Sequence, residues 1–351
     1  MPNARSAHFS RRGLLAAGGA LGLGALLTAC GDGDSKDKDS GSGGSADAKP
    51  GPFSFKDDRG QTVKTDKIPA NIVAFTGAGA ALYDYGIQVK GVFGPTRTED
   101  GKADVQAGDM DISKVEILGN TWGEFNVEKY AALGPELLVS TMFDDAGTLW
   151  YVPEESKDKI SKLAPSVGIS VYDRPMTDSL ARMLELAKAL GADTGSSVIT
   201  EARKKFEAAA ERLRSAAKAR PEIKVLIGSG AEDLFYISGS NLSIDLEYFR
   251  QLGVNIVEPD ARALKASGGW YESLSWENAD KYEADIIMMD NRTSALQPDA
   301  LAGSKPTWKK LPAVKAGQVI PRDTEPILSY AKCTPILEDL AKAIEDAKKV
   351  A

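Results

Sequence analysis

Residues 198–218 read VITEARKKFEAAAERLRSAAK, and this stretch decides how the chain is divided. Apolar side chains recur at Val198, Ala202, Phe206, Ala209, Leu213 and Ala216. Intervals of three and four are the period of one helix face. Arg203, Lys204, Glu207, Glu211, Arg212 and Arg214 fill the opposite face. Gly195 and two serines precede the run and offer an N-cap. Arg220-Pro221 ends it, because a residue before proline favours extended geometry. At about 1.5 Å per residue the helix spans roughly 30 Å, the width of a small domain. Strand and helix patterns alternate on both sides of it. The expected fold is α/β: two Rossmann-like lobes joined by one long α-helix, with a ligand cleft between the lobes.

Outward from the helix, the N-terminal lobe covers residues 53–190, with strands expected near 72–75, 89–93, 137–140 and 166–172. The bridge occupies 195–220. The C-terminal lobe covers 222–351, with strands near 224–228, 235–238, 255–257, 285–290 and 318–320. Helices are expected there over 244–252, 277–282 and 326–349.

Upstream, Ser10-Arg11-Arg12-Gly13-Leu14-Leu15 has the twin-arginine export pattern, followed by a short Leu/Ala/Gly run. Leu27-Thr28-Ala29-Cys30 then resembles a lipobox, so residues 1–29 are expected to be a lipoprotein signal peptide and Cys30 to carry the lipid. The span is too short and Gly-rich for a transmembrane helix. Residues 31–50 hold scarcely an apolar side chain and should form a flexible tether.

Composition narrows the function. Of 351 residues, 42% are hydrophobic and 26% charged, an ordinary globular balance. Beyond the signal, 40 basic residues face 50 acidic ones, a formal charge of −10. An acidic body without a basic stripe argues against a nucleic-acid partner and against an anionic membrane surface. With Cys30 lipidated, Cys333 stands alone and no disulfide framework exists. The single histidine, His8, lies in the signal. A mature chain without histidine excludes Ser-His and Cys-His catalysis, haem ligation through His, and His-rich zinc or copper sites.

Two glycine motifs invite other readings. Gly77-Ala78-Gly79 follows a strand and opens a helix, but Leu82 stands where a dinucleotide fingerprint needs its third glycine. Gly228-Ser229-Gly230 lacks the full nucleophile elbow and has no histidine to activate it. More informative are aromatics and arginines placed in strand-following loops. Trp122, Phe125, Phe143, Trp150 and Tyr151 do so in the first lobe; Phe235, Tyr236, Trp270 and Tyr271 in the second; Arg97, Arg292 and Arg322 accompany them. In open α/β sheets ligands bind beyond the carboxyl ends of strands. Flat rings with guanidinium groups suit a bulky ligand that has an apolar body and exposed oxygens.

An ordered series of short motifs adds to this. Ile68-Pro69-Ala70-Asn71-Ile72-Val73-Ala74 opens it. Leu118-Gly119, Glu124-Phe125-Asn126-Val127-Glu128 and Ala132-Leu133-Gly134-Pro135-Glu136-Leu137-Leu138-Val139 follow, then Ser275-Trp276-Glu277 with Ala284-Asp285-Ile286-Ile287, and finally Trp308 through Val319. In this order they resemble the ferric-siderophore-binding lipoproteins of bacterial ABC importers, a helix-bridged group that also holds corrinoid and haem binders. Phe125 and Gly134 replace a usual proline and lysine. The resemblance implies that Glu128 and Glu277 present one carboxylate per lobe to the permease. It implies ligand contacts from Trp270 and Tyr271, and places Trp122 where hydroxamate binders carry an arginine, a cation that Arg97, Arg292 or Arg322 could supply instead. Ferric ion is hard and takes oxygen donors, which a siderophore provides, so no resident metal ligand or cofactor is expected. The expectation is a monomeric, non-catalytic, lipid-anchored binding protein on the outer face of the cytoplasmic membrane. It would capture a Fe(III)-siderophore complex for an ABC permease. A corrinoid or other large chelate, and an exported α/β hydrolase, are the alternatives.

Overall fold

A computed structural model describes residues 51–239 and 242–351. The expected signal peptide, Cys30 and the expected tether lie outside the described residues. Phe53–Lys56 (β1) and Thr62–Thr65 (β2) form an antiparallel hairpin that the sequence reading passed over. Ile72–Phe75 (β3), Gly91–Phe93 (β4), Glu116–Ile117 (β5), Leu137–Met142 (β6) and Ser166–Ser170 (β7) then build a sheet in the order β5-β4-β3-β6-β7, every pair parallel. Helices on both faces bury its central strands, which is why β3 and β6 read as unbroken apolar runs rather than as alternating ones.

Lys224–Gly230 (β8), Leu234–Ser238 (β9), Asn255–Ile256 (β10), Tyr271–Ser275 (β11), Ile286–Asp290 (β12) and Val319–Arg322 (β13) form the second sheet. Its order is β11-β9-β8-β12-β13, with β10 beside the start of β8. The β8–β9–β11 side is antiparallel; β8, β12 and β13 run parallel. Several expectations change here. Residues 277–282 form no α-helix: exposed Tyr271 and Ser273 alternate with buried Glu272 and Leu274, a strand period, and only a single turn follows at Trp276–Asn278. Phe235 and Tyr236 lie within β9, Tyr271 opens β11, and residue 322 is the last of β13, so none of these four is in a loop.

The bridging helix spans Ser197–Ala219. Its buried stripe is Ile199, Phe206, Ala209, Ala210, Leu213, Ala216 and Ala217. Val198 is 70% exposed, because it lies about 100° round the helix from Ile199, and Ile199 sits in line with Phe206. The preceding serine takes the N-cap position without a capping hydrogen bond from its side chain. The bridge is also doubled. The terminal helix Tyr330–Asp346 packs along it, with Phe206 edge-on to Tyr330 at 5.6 Å and Arg212 clamping Glu345 at 2.6 and 3.0 Å.

One apolar core runs from Val73 in the first sheet through Leu213 and Leu337 to Ile227 and Ile286 in the second. The opposite face of the second sheet, Leu226, Ile287 and Met289, joins Phe235, Trp276 and Trp308 in a separate outer core. A shared core through the connecting helices ties the lobes by packing as well as by chain.

Candidate functional site

The loops after β4, β5, β6, β12 and β13 meet at the carboxyl ends of their strands and line an open cleft of about 1220 Å³. Trp122 stands on its wall, 63% exposed, through a loop built for the purpose. The backbone N–H groups of Asn120 and Thr121 donate to the Glu124 carboxylate at 3.0 and 3.1 Å, and Asn126 caps the next helix through Lys129 N. Asn120 Oδ1 accepts from the N–H groups of Thr96 and Arg97, joining this loop to the one after β4. Gly119 cannot be replaced cheaply: a Cβ there would lie 2.1 Å from the Glu124 carbonyl oxygen, which is backbone and cannot swing aside. We expect Gly119→Ala to destabilise the fold by about 2–4 kcal/mol, and to dislodge Trp122. Chemical denaturation and the tryptophan emission maximum read the two effects.

These backbone donors hold the Glu124 carboxyl below the ordinary glutamate value of 4.5. A carboxyl depressed by folding supports the loop above that value and loses its hold as pH falls through the lower, folded one. Amide exchange should therefore show Asn120 and Thr121 protected above the ordinary glutamate value and released only as pH falls through the lower, folded one. Glu124→Gln should remove that transition.

Trp122 meets Trp150 at 4.7 Å and Tyr151 at 5.0 Å between ring centres, both edge-on. Tyr151 stacks on Phe75 at 5.4 Å over Gly94, whose φ of +98° leaves room that a side chain would fill. Tyr151 itself holds a φ of +61°, an uncommon value for a residue with a side chain. Burial, with the negative Glu325 nearby, pushes its phenol up to about 12. It thus keeps its proton across physiological pH and can donate to a ligand oxygen.

Opposite the rings lies Arg292. Its Nε and Nη2 donate to Asp290 at 3.0 and 2.7 Å, and Nη1 donates to Glu325 at 2.6 Å. Glu325 also accepts from Gln106 Nε2 at 2.8 Å and from Trp150 Nε1 at 3.2 Å. Asp104 accepts from Thr293 Oγ1 at 2.8 Å. These contacts floor the cleft and cross between the lobes. Burial alone would raise the Asp290 carboxyl; Arg292 and the Ser229 hydroxyl outweigh it and hold the group below its ordinary range.

Of the residues singled out in the sequence, Arg97, Trp122, Trp150, Tyr151 and Arg292 line this cleft. Phe143 backs Trp150 at 4.6 Å without lining it. Tyr236 and Tyr271 meet edge-on at 4.8 Å on the antiparallel pair β9 and β11, and neither lines the cleft. Trp270 packs near Tyr172 of the first lobe at 6.0 Å. Arg322 is a correction: it is 3% exposed, and its guanidinium is spent on Asp245 at 2.8 and 3.1 Å and on Ser243. Glu128 and Glu277 are exposed, with no side-chain partner among the described residues. The sequence reading missed Asp104, Gln106, Asn120, Thr293 and Glu325; the only signal was polar residues in loops after strands.

The rival motifs find structural uses. Gly77 and Gly79 let the helix start pack on Phe75 and Val92, and Thr76 Oγ1 donates to the Phe93 carbonyl. Ser229 Oγ donates to Asp290 at 2.8 Å, and that carboxylate is already committed to Arg292.

Residues 72–325 match the family profile described as periplasmic binding protein. The chain belongs to the periplasmic binding protein family. Among solved structures of this fold, DesE, a ferric-siderophore receptor protein from Streptomyces coelicolor, is 67% identical, with a TM-score of 0.84 over 86% of this chain and all of that one. The petrobactin-binding protein YclQ from Bacillus subtilis shares the fold at a TM-score of 0.60 and 18% identity, over 84% of this chain and 99% of that one. The Fe(3+)-citrate-binding protein YfmC of Bacillus subtilis is 24% identical over 274 residues, 77% of this chain and 78% of that one. In a periplasmic binding protein the cleft between lobes is the place for a ligand, and here it is the one with the rings.

Proposed function

We propose that this chain is an extracytoplasmic substrate-binding lipoprotein that captures a ferric siderophore and delivers it to an ABC permease, without covalent chemistry. The observation that carries this reading is the cleft: a volume of about 1220 Å³, walled by Trp122, Trp150 and Tyr151 and floored by Arg292 and its carboxylates. A preformed iron chelate needs apolar faces for its organic body and donors for its oxygens, and this wall and floor offer both. Among the described residues no group of three or more His, Cys, Asp or Glu is placed to hold a metal ion. The chelator then supplies the iron's donors, and the protein grips the chelator. The 67% identity to a ferric-siderophore receptor supports the same substrate class.

Tryptophan-fluorescence titration with ferric siderophores, cobalamin and haemin tests the reading. Sub-micromolar quenching by a ferric siderophore is the expected result; a response to cobalamin or haemin alone overturns it.

Cys30 is the lipid attachment site in this proposal, and the protein acts as a monomer. Glu128 and Glu277, one on each lobe and both unpaired, are the carboxylates offered to the permease. Glu128→Ala with Glu277→Ala should leave binding in solution within about twofold and cut uptake by about tenfold or more, as for rim charges that govern encounter with a partner. Cellular uptake of iron-55 from a ferric siderophore, set beside the solution affinity, measures both.

A further inference from the structure

The floor of the cleft has an uncommon charge arrangement. Arg292 is its most enclosed cation, yet two carboxylates hold it: Asp290, fully buried, and Glu325, 9% exposed. Asp290 alone would neutralise the guanidinium. Glu325 turns the group net negative, and a further carboxylate of the lining, Asp104, 4% exposed, accepts from Thr293 Oγ1, next to Arg292 in the chain. The remaining charged residues of the lining are Arg97 and Lys129 against Glu99 and Glu116, so the rim balances and the floor does not. Glu325 is also oriented, not merely close. Gln106 and Trp150 of the first lobe each donate to one of its oxygens while Arg292 takes the other. Desolvated charges act on a ligand far more strongly than exposed ones.

Resting on the siderophore reading, we infer that Glu325 is a specificity-determining residue. It over-compensates Arg292 and so sets the cleft to prefer cationic or neutral ferric chelates over anionic ones. Exclusion by an unneutralised buried carboxylate is discrimination against the wrong ligand, achieved without a contact of its own to the right one.

The test uses one chelate body with three tails. Ferrioxamine B has a cationic amine tail; its N-acetyl derivative is neutral and its N-succinyl derivative anionic. All share the same ferric tris-hydroxamate core. Affinities are measured by tryptophan quenching at low ionic strength for the wild-type protein, Glu325→Gln and Glu325→Asp. Wild type should bind cationic over neutral over anionic. Glu325→Gln should lower the cationic-to-anionic ratio by about tenfold, the effect of one charge roughly 10 Å away on ligands two charges apart. Glu325→Asp keeps the charge and the ratio. A purely structural role for Glu325 would weaken all three ligands alike. That result, or a ratio in Glu325→Gln within twofold of wild type, overturns the inference. Wild-type protein that binds none of the three overturns the inference, and the titration with other ferric siderophores decides separately on the siderophore reading.

Discussion

Replacing Trp150 by alanine lowers the affinity for a ferric siderophore by about 2–4 kcal/mol, some 30-fold or more, the range of a central aromatic anchor in a desolvated pocket. Trp150 is the residue on which the cleft converges. Trp122 stands edge-on to it at 4.7 Å, Phe143 backs it at 4.6 Å, and Tyr151 follows it in the chain. Its indole N–H reaches Glu325 at 3.2 Å, the point where the first lobe holds the floor. Alanine removes the wall and the tie together. Trp150→Phe keeps a ring and loses only the donor, so it should recover most of the affinity. Calorimetric titration of the two variants against wild type checks the order. A Trp150→Ala protein that binds within twofold of wild type would place the ligand elsewhere.

Arg322→Met lowers unfolding stability by about 3–5 kcal/mol and leaves the affinity of the remaining folded protein nearly unchanged. The substitution strands Asp245, which is 1% exposed and would keep only the Ser243 hydroxyl as a side-chain partner. An uncompensated buried carboxylate costs far more than the net worth of the pair. Replacing both members, Arg322→Met with Asp245→Leu, should recover much of the loss. Denaturant unfolding monitored by circular dichroism separates these outcomes. The contrast with Arg292 is the point of the experiment. Both arginines lie at or just after a strand end, yet one faces the cleft and the other fixes the second lobe.

That contrast also marks where sequence reading stopped. The bridging helix was legible because a period of 3.6 shows in any run of its length, and only the end residue Val198 was placed on the wrong face. The strand–helix alternation of both lobes was legible for the same reason. The hairpin of β1 and β2 was not taken up, although Phe53 and Phe55 alternate with polar neighbours ahead of Gly60 at φ +77°. The wall of the cleft was half legible, since aromatics in strand-following loops are unusual. Its floor was not. Gln106 and Glu325 are 219 residues apart, and Arg322 and Asp245 are 77 apart. Nothing local in the chain tells a guanidinium whose carboxylate will be buried beside it from one that will face a ligand. The terminal helix was expected, but its packing along the bridge was not. Amphipathic faces do not name their partners.

The central claim is that a preformed cleft grips an iron chelate through rings on one lobe and a charged floor reaching from the other. The most direct measurement is the anomalous iron signal from crystals of the protein grown with a ferric siderophore. The account predicts one iron between the Trp122–Trp150–Tyr151 wall and the Arg292–Thr293 loop, ligated by the siderophore alone, with Glu325 still bound to Arg292. An iron held directly by protein carboxylates, or a siderophore seated outside this cleft, would contradict it.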